Sequence, residues 1–568
     1  MVERIRLGIL CDGTTFPMWQ AESIRQALAV DGVDLVVLVM RERKQAAPAP
    51  WHQRLRMYPW RIGLFLWWRR NRFKPASAEP MDLERDLAAV PRIPCTVIAK
   101  GPVHRFKPED IDRIAEYRPD VLLRFGFGIL KGPILDVPRF GVWSYHHGDE
   151  ELYRGQPPGF WEIMDGSPVI GAILQRLTEQ LDAGHVLRKG WFRTVDHSLS
   201  ATLDSVTMGS AGWVAQACTA LLLGTGQEAQ GLRSATKAPI RKYPGNLDTL
   251  RFLLKLRGNA TRREEAHKRT REERNIGVLY QPIGSLLGSD PNLNIRWLPA
   301  PGLGQSRACP FGYMADGQLN VLYTKHDHGT GKSEISRLRP KRDNILKRSR
   351  TMLVGGGGVS YPFIVDTSDA VYVVPQDSST NRVDLYRVNS TNEALEHVRT
   401  ILNEPLCSPT LFEHGGRWWL MGTKEPWADV ALYAYHAEQL TGPFIPHALN
   451  PLKMDLRSAR PAGTPFLHNG KRFRPVLDTS HTSGDRVALM HVTALTPDTF
   501  SEEVVRTIGP IRGSVWSKGL LTISAQGEIT LVEGLRHVPA GKQNSSTRRA
   551  TKKKNRADRD LEDADDDD

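Results

Sequence analysis

Cysteine is sparse in this chain: five residues, Cys11, Cys95, Cys218, Cys309 and Cys407, among 568. They are odd in number, widely scattered and never form a C-x-x-C pair, which gives neither a disulfide framework nor zinc-ligand spacing. No metal is expected, and a reducing compartment fits best. A signal-peptide core is also missing. The apolar run in residues 1–10 is too short for one and reads as a first strand, and no long apolar span follows it. The expectation is a cytoplasmic chain that does not span a membrane. No zinc-finger, helix-turn-helix or RNP-like pattern accompanies the net charge of +13, so no sequence-specific nucleic-acid partner is expected. A dinucleotide fingerprint is absent too, because Phe125-Gly126-Phe127-Gly128-Ile129-Leu130 does not carry glycines at the G-x-G-x-x-G spacing.

What is present is an ordinary globular composition, 40% hydrophobic and 24% charged, in a chain too long for one core. Residues 1–228 alternate between strand-like and helix-like runs: Ile5 to Leu10, Ala21 to Leu28, Leu35 to Val39, Asp110 to Tyr117 and Val121 to Arg124. That alternation predicts an α/β domain. It is interrupted at 41–90 by an Arg-, Trp- and Pro-rich insertion. There, Arg61 to Arg72 predicts an amphipathic helix, and the basic run 54–74 fits either peripheral membrane contact or packing on its own domain or a partner subunit. Residues 229–275 turn polar and basic and read as a helical linker between two separately stable units. From 276 to 510 short β-rich runs recur at blade-like spacing, which predicts a β-propeller. Residues 511–539 read as a C-terminal extension. The tail 540–568, blocks of basic and then acidic charge, reads as disordered.

The chemistry gathers in Ser144-Tyr145-His146-His147-Gly148-Asp149, followed by Tyr153-Arg154-Gly155 and by Leu181-Asp182-Ala183-Gly184. A histidine and a carboxylate thus stand on two loops after short apolar runs, where an open parallel sheet collects its active-site groups.

These segments resemble the formyltransferase family, over residues 90 to 222 and more faintly over 1 to 40. The resemblance implies a Rossmann-like fold and 10-formyltetrahydrofolate as donor. It places His146 on the family histidine, Tyr153 and Arg154 on the substrate-side Arg-Gly segment, and Asp182 on the family aspartate. Ser144 stands where the family has asparagine. Phe125, Gly126, Phe127, Gly128 and Ile129 fall where members wrap backbone around the folate. Formyl transfer to an amine passes through a tetrahedral intermediate, so it needs an oxyanion donor, a base for the amine proton and a carboxylate to orient that base. His146 and Asp182 would supply the last two. Ser144 is a shorter donor than asparagine, with Tyr145 or His147 as alternatives.

Residues 276 to 510 resemble the propeller-like N-terminal domain of glucosamine inositolphosphorylceramide transferases, itself similar to five-bladed glycosidase propellers. The resemblance rests on Ser360-Tyr361-Pro362-Phe363, Leu385-Tyr386-Arg387, Trp418-Trp419-Leu420 and Ser458-Ala459-Arg460-Pro461-Ala462-Gly463, among others. The proline contexts that carry catalytic aspartates in such glycosidases read Cys309-Pro310 and Tyr361-Pro362 here, which argues against hydrolysis. Arg460 and Tyr361, with Gln376, are instead expected to line a sugar-binding channel, or else Arg460 ties adjacent blades together through carbonyl contacts and Tyr361 belongs to the core. Together these features describe a multidomain α/β plus all-β protein: a formyltransferase-like domain fused to a five-bladed propeller, formylating an amine of a sugar, nucleotide sugar or glycolipid. Two other functions fit the same features: a non-catalytic carbohydrate-binding scaffold with a degenerate formyltransferase domain, and a glycosyltransferase or hydrolase acting through the propeller.

Overall fold

The computed structural model describes residues 3–42, 60–180, 184–225, 232–233, 238–288, 293–340, 349–356, 358–389, 394–481 and 484–540. The α/β half is built on one eight-stranded sheet. Its strands are β1 Ile5–Cys11, β2 Val33–Arg41, β3 Arg92–Cys95, β4 Val121–Arg124, β5 Val142–His147, β6 Val169–Arg176, β7 His185–Arg193 and β8 Leu232–Arg233. Their order across the sheet is β8-β7-β6-β5-β4-β1-β2-β3. The five strands from β5 to β3 run parallel, and β6 to β8 alternate antiparallel. Parallel strands are buried on both faces and read as continuous apolar runs. In β4, Val121 and Leu123 join one core layer while Leu122 joins the other.

Seven helices of this half matter here: α1 Met18–Leu28, α2 Gly63–Asn71, α3 Pro108–Glu116, α4 Phe160–Asp165, α5 Leu199–Ser210, α6 Trp213–Leu223 and α7 Asn246–Arg269. The stretch Leu199–Leu223 is long and apolar enough to cross a membrane by length and composition, contrary to the expectation that no such span exists. Its apolarity has a local cause, since Val206, Trp213, Val214, Ala217 and Leu221 pack into the core beneath β1, β4 and β5. The amphipathic helix expected at 61–72 is α2. Its Phe65 and Trp68, spaced i and i+3, are buried against Phe160 of α4 and Phe252 of α7, at ring-centroid distances of 6.0 and 5.6 Å. That apolar face is therefore covered by the domain itself, while Trp60 and Trp67 remain exposed. Residues 54–59 lie outside the described residues, as does 541–568 of the tail.

The predicted linker is helical, as α7, but it is not free-standing. Phe252 is buried, Lys255 Nζ donates to Met164 O at 2.8 Å, and Asn259 Nδ2 donates to Asp196 O at 2.9 Å, all on the α/β half.

Beyond α7 the chain forms five antiparallel sheets. Sheet I joins Thr270–Leu279 and Arg296–Trp297 to Gly519–Gln526 and Ile529–Pro539. Sheets II, III, IV and V follow in chain order from Gln305, Val359, Cys407 and Phe466, the fourth with an additional short strand. Residues 511–539 are thus not an extension: their two strands complete sheet I, Thr270 to Leu279 pairing in continuous register with Pro539 to Thr530. The first strands of sheets II, III and IV share one device. Cys309, Tyr361 and Ser408 have φ of 49°, 47° and 52°, each stands before a proline, and each sits at a register shift. A bulge of this kind bends the strand and re-aims its side chains.

The halves share a core. Val430, Ala431, Met454 and Leu456 of the β half pack into the same cluster as Trp213 and Phe192. The Arg457 guanidinium stacks 3.5 Å from the Trp191 ring, and Arg193 Nη2 donates to Thr479 Oγ1 at 2.7 Å. Two separately stable units were the sequence expectation; this apolar seam runs against it, because cutting the chain would expose it.

Candidate active site

The pleat of β5 sorts its side chains onto opposite faces. Tyr145 and His147 point toward α1 and α6, where their rings stack at 5.9 Å and both meet Trp19 edge-on. The Tyr145 hydroxyl donates to Ala211 O at 2.9 Å and lies 3.0 Å from Ser23 Oγ. Burial, assisted by the neighbouring His146, pushes the His147 imidazole down to about 3, so it is neutral near pH 7. Neither residue faces the side of Ser144, which removes both as substitutes for the family asparagine.

Ser144 and His146 share the other face. Ser144 is 1% exposed, and its hydroxyl is fully engaged. It accepts from Arg124 Nε at 3.1 Å and Nη2 at 2.9 Å and donates to Tyr145 O at 3.3 Å. Arg124 is the last residue of β4, beside β5 in register, and its Nη1 donates to Gly128 O at 2.8 Å. Burial holds this guanidinium below its usual range. The residue expected to be an open oxyanion donor is therefore an anchor for a cation that sequence reading passed over.

Loop 125–129 is tied down on both sides. Phe125 stacks on Tyr145 with ring centroids 6.3 Å apart. A Cβ on Gly126 would meet Cys11 backbone carbon at 2.8 Å, and one on Gly128 would meet Pro102 O at 2.3 Å. Gly128 N also donates to His104 Nδ1 at 2.8 Å. Both glycines are thus demanded by the chain's own backbone, before any ligand is considered. Phe127, at φ 66°, packs on Phe106, and Ile129 pairs with Val103. A cavity of about 490 Å³ lies between residues 132–136 and Arg176, Leu177, Thr178, Glu179 and His185. These segments flank loop 125–129 and the segment that carries Asp182. Asp182 itself lies outside the described residues.

Gly148 packs closely on the other side of His146. A Cβ placed there would stand 3.3 Å from His146 Nε2, 3.1 Å from Tyr153 O and 3.9 Å from Glu162 Oε1. Tyr153 thus reaches Gly148 through its carbonyl, while Arg154 Nη1 is turned to Ala238 O at 3.1 Å. Burial raises the Tyr153 phenol. Asp149 has a structural partner set: Trp191 Nε1 donates to it at 3.1 Å and Lys189 Nζ lies at 3.7 Å, while Lys189 also reaches Glu150 at 3.0 Å.

In the β half, Tyr361 is 3% exposed, with its ring edge-on to Phe311 and its hydroxyl bridging Thr410 Oγ1 at 3.2 Å and the donating Gly463 N at 3.1 Å. It presents no face to a sugar, so of the two expectations the core placement holds and the channel-lining one does not; the bulge turns the ring inward. Arg460 is one-third exposed, donating to Asp429 Oδ1 at 2.9 Å and to Ser408 Oγ at 3.1 Å, and Gln376 Oε1 accepts from Ser408 N at 2.9 Å. Burial raises the Asp485 carboxyl, with Arg193 opposing the rise and Glu272 and Asp429 adding to it. The carboxylate beside Arg460, Asp429, therefore comes from a position outside the proline contexts. Arg460, Tyr361 and Gln376 are brought together; His146 and Arg460 belong to different halves. Arg124 and Glu162 were missed. The signal for Glu162 was available: an acid inside Phe160-Trp161-Glu162-Ile163 has apolar neighbours on all sides.

Residues 304–512 match the family model described as glucosamine inositolphosphorylceramide transferase 1, N-terminal. The protein of that name from Arabidopsis thaliana is 25% identical over 150 residues, 25% of this chain and 20% of the relative. Over the N-terminal region, the methionyl-tRNA formyltransferase of Desulfotalea psychrophila is 26% identical over 191 residues, 33% of this chain and 57% of the relative. The chain therefore spans about a fifth of the first and under two thirds of the second. The relatives matched by the two regions are transferases. Among solved structures, a phosphoribosylglycinamide formyltransferase from Anaplasma phagocytophilum is similar at TM-score 0.26 and 15% identity, covering 40% of this chain and 88% of its own. The family 117 glycoside hydrolase Zg3597 of Zobellia galactanivorans is similar at TM-score 0.30 and 13% identity, covering 42% and 88%.

Proposed function

We propose that the α/β half transfers a formyl group from 10-formyltetrahydrofolate to an amine on a sugar, nucleotide sugar or glycolipid. In this reading the five sheets form a propeller that presents the glycan part of that acceptor. The observation that supports it is the shared face of β5: Ser144 and His146 lie on one face, and the Ser144 hydroxyl accepts from the buried guanidinium of Arg124. The folate, when bound, supplies the activated formyl group. Loop 125–129 and residues bordering the cavity would hold it, since the space is large enough for a ring system.

His146 is then the base for the amine proton, with Asp182 orienting it. Arg124 takes over the electrostatic work of the family asparagine: a fixed cation beside the reacting carbonyl stabilises the developing oxyanion, and Ser144 locks its orientation. Asp149 and Lys189 organise the seam to the β half, and Arg460 with Asp429 forms a polar patch suited to sugar hydroxyls or an anionic substituent. The supporting test is consumption of 10-formyltetrahydrofolate by the full chain with a panel of amino-sugar nucleotides.

One observation favours a second reading, a carbohydrate-binding scaffold without chemistry: the Ser144 hydroxyl has no capacity left for an oxyanion. Folate binding separates the two. A scaffold binds glycan but not the folate.

A further inference from the structure

We propose that Glu162 is a second base of this site, one that takes the first proton from the acceptor's ammonium group so that His146 can take the second. The inference rests on the formyl-transfer reading. It begins from a placement that reading does not use. Glu162 stands on the short helix α4 and is 2% exposed. Its carboxylate accepts from the backbone N–H groups of Gly159 and Glu162 itself, as a residue three positions into a helix commonly does. One of its oxygens, Oε1, is buried and has no hydrogen-bond partner among the described residues. An unsatisfied buried oxygen carries a desolvation cost that a donor reaching it would remove. It lies close to His146 Nε2: a Cβ at Gly148 would stand 3.9 Å from Oε1 and 3.3 Å from that nitrogen.

The chemistry of the acceptor requires a second base. An alkylamine is mostly ammonium near pH 7. Going from R–NH3+ to R–NH–CHO removes two protons from the nitrogen. One bond forms between that nitrogen and the formyl carbon, and one breaks between the formyl carbon and the folate nitrogen. One proton ends on the departing folate nitrogen and the other in solvent; nothing is oxidised or reduced. Glu162 as carboxylate accepts the first proton and later releases it to water. His146 Nε2 accepts the second as the C–N bond forms and delivers it to the leaving nitrogen.

The electrostatic surroundings suit this role. Burial pushes the Glu162 carboxyl up to about 7, with Asp165 and Asp149 adding to the rise and the two backbone N–H groups opposing it. The groups facing it are His146 from β5, Asp149 and Tyr153 from the following loop, and Asp165 from α4, which Arg241 pairs at 2.9 Å. From α7, Lys255 is turned to Met164 O.

The test is a pH titration of the Glu162 carboxyl by 13C NMR in the full chain labelled at glutamate Cδ, the resonance being assigned by its loss in Glu162→Gln. If that variant does not fold, Glu162→Asp removes the same resonance while keeping the charge. Methylammonium chloride is the probe, with tetramethylammonium chloride, which has no N–H to donate, as control. The expected result is a midpoint near neutrality that methylammonium lowers by about half a unit or more and tetramethylammonium does not. A midpoint in the ordinary carboxylate range, or one indifferent to methylammonium, makes Glu162 a helix cap and nothing more. Neither outcome depends on turnover, so a failure of the formyl-transfer reading shows separately, as no consumption of 10-formyltetrahydrofolate by the wild type.

Discussion

Replacing Ser144 by alanine removes one oxygen from a site 1% exposed, and the structure sets the size of the effect. That oxygen is the acceptor for two N–H groups of Arg124, at 3.1 and 2.9 Å, and the guanidinium's remaining described partner is Gly128 O at 2.8 Å. A hydrogen bond to a charged group contributes about 1.5–3 kcal/mol, and stranding buried donors forfeits most of that. Ser144→Ala should therefore cost about 2–3 kcal/mol, well above the typical ~1 kcal/mol for a point substitution. Ser144→Thr, which keeps the hydroxyl, should cost less. The assay is urea unfolding followed by tryptophan fluorescence, with Arg124→Met and the double variant completing a thermodynamic cycle. A coupling of about 1.5 kcal/mol or more is expected between the two positions. If the enzyme reading holds, a guanidinium free to swing also lowers kcat at least tenfold, since about 1.4 kcal/mol of lost transition-state stabilisation suffices. A loss below about 0.5 kcal/mol with no coupling would refute the claim that Ser144 exists to hold Arg124.

His147 carries a pH prediction. Its folded-state pKa, about 3, lies below the unfolded value near 6.5, so the stability it contributes is present above pH 6.5 and is lost as pH falls toward 3. His147→Phe should flatten the stability-versus-pH curve over that window in urea titrations; an unchanged slope would mean the imidazole protonates in the folded protein. Tyr361→Phe removes the bridge between Thr410 and the Gly463 N–H, and calorimetry should show a lower Tm corresponding to about 1–3 kcal/mol with glycan binding unaltered. Weakened binding at unchanged stability would restore Tyr361 as a ligand residue. Gly126→Ala forces a Cβ within 2.8 Å of the Cys11 backbone and should destabilise by about 1–3 kcal/mol even without folate present. A neutral effect in unfolding measurements would show that the loop has room to move.

Much of the scaffold was legible because its strands and helices carry strong periodic signals. Ile5 to Leu10, Leu35 to Val39 and Val121 to Arg124 fall within β1, β2 and β4, and Ala21 to Leu28 and Asp110 to Tyr117 overlap α1 and α3. What periodicity does not carry is pairing at long range. The strands in 519–539 look like any other apolar runs, and nothing local says that they close onto Thr270 to Leu279 across some 250 residues. Site residues followed the same rule. His146 announces itself by its neighbours in sequence, whereas Arg124 gains its meaning only from lying beside Ser144 in the sheet. Tyr361 belongs to the core rather than to a channel because a positive φ before Pro362 turns its ring inward, a property of the backbone rather than of the motif.

The central claim, that this site moves a formyl group onto an amine, is tested most directly by incubating the full chain with 10-formyl-14C-tetrahydrofolate and amino-sugar nucleotides and following the label. The account predicts acid-stable label on the sugar nitrogen with matching release of tetrahydrofolate, reduced at least a hundredfold in His146→Asn. Absence of transfer to every amine offered, together with no binding of a non-hydrolysable formylfolate analogue, would contradict it.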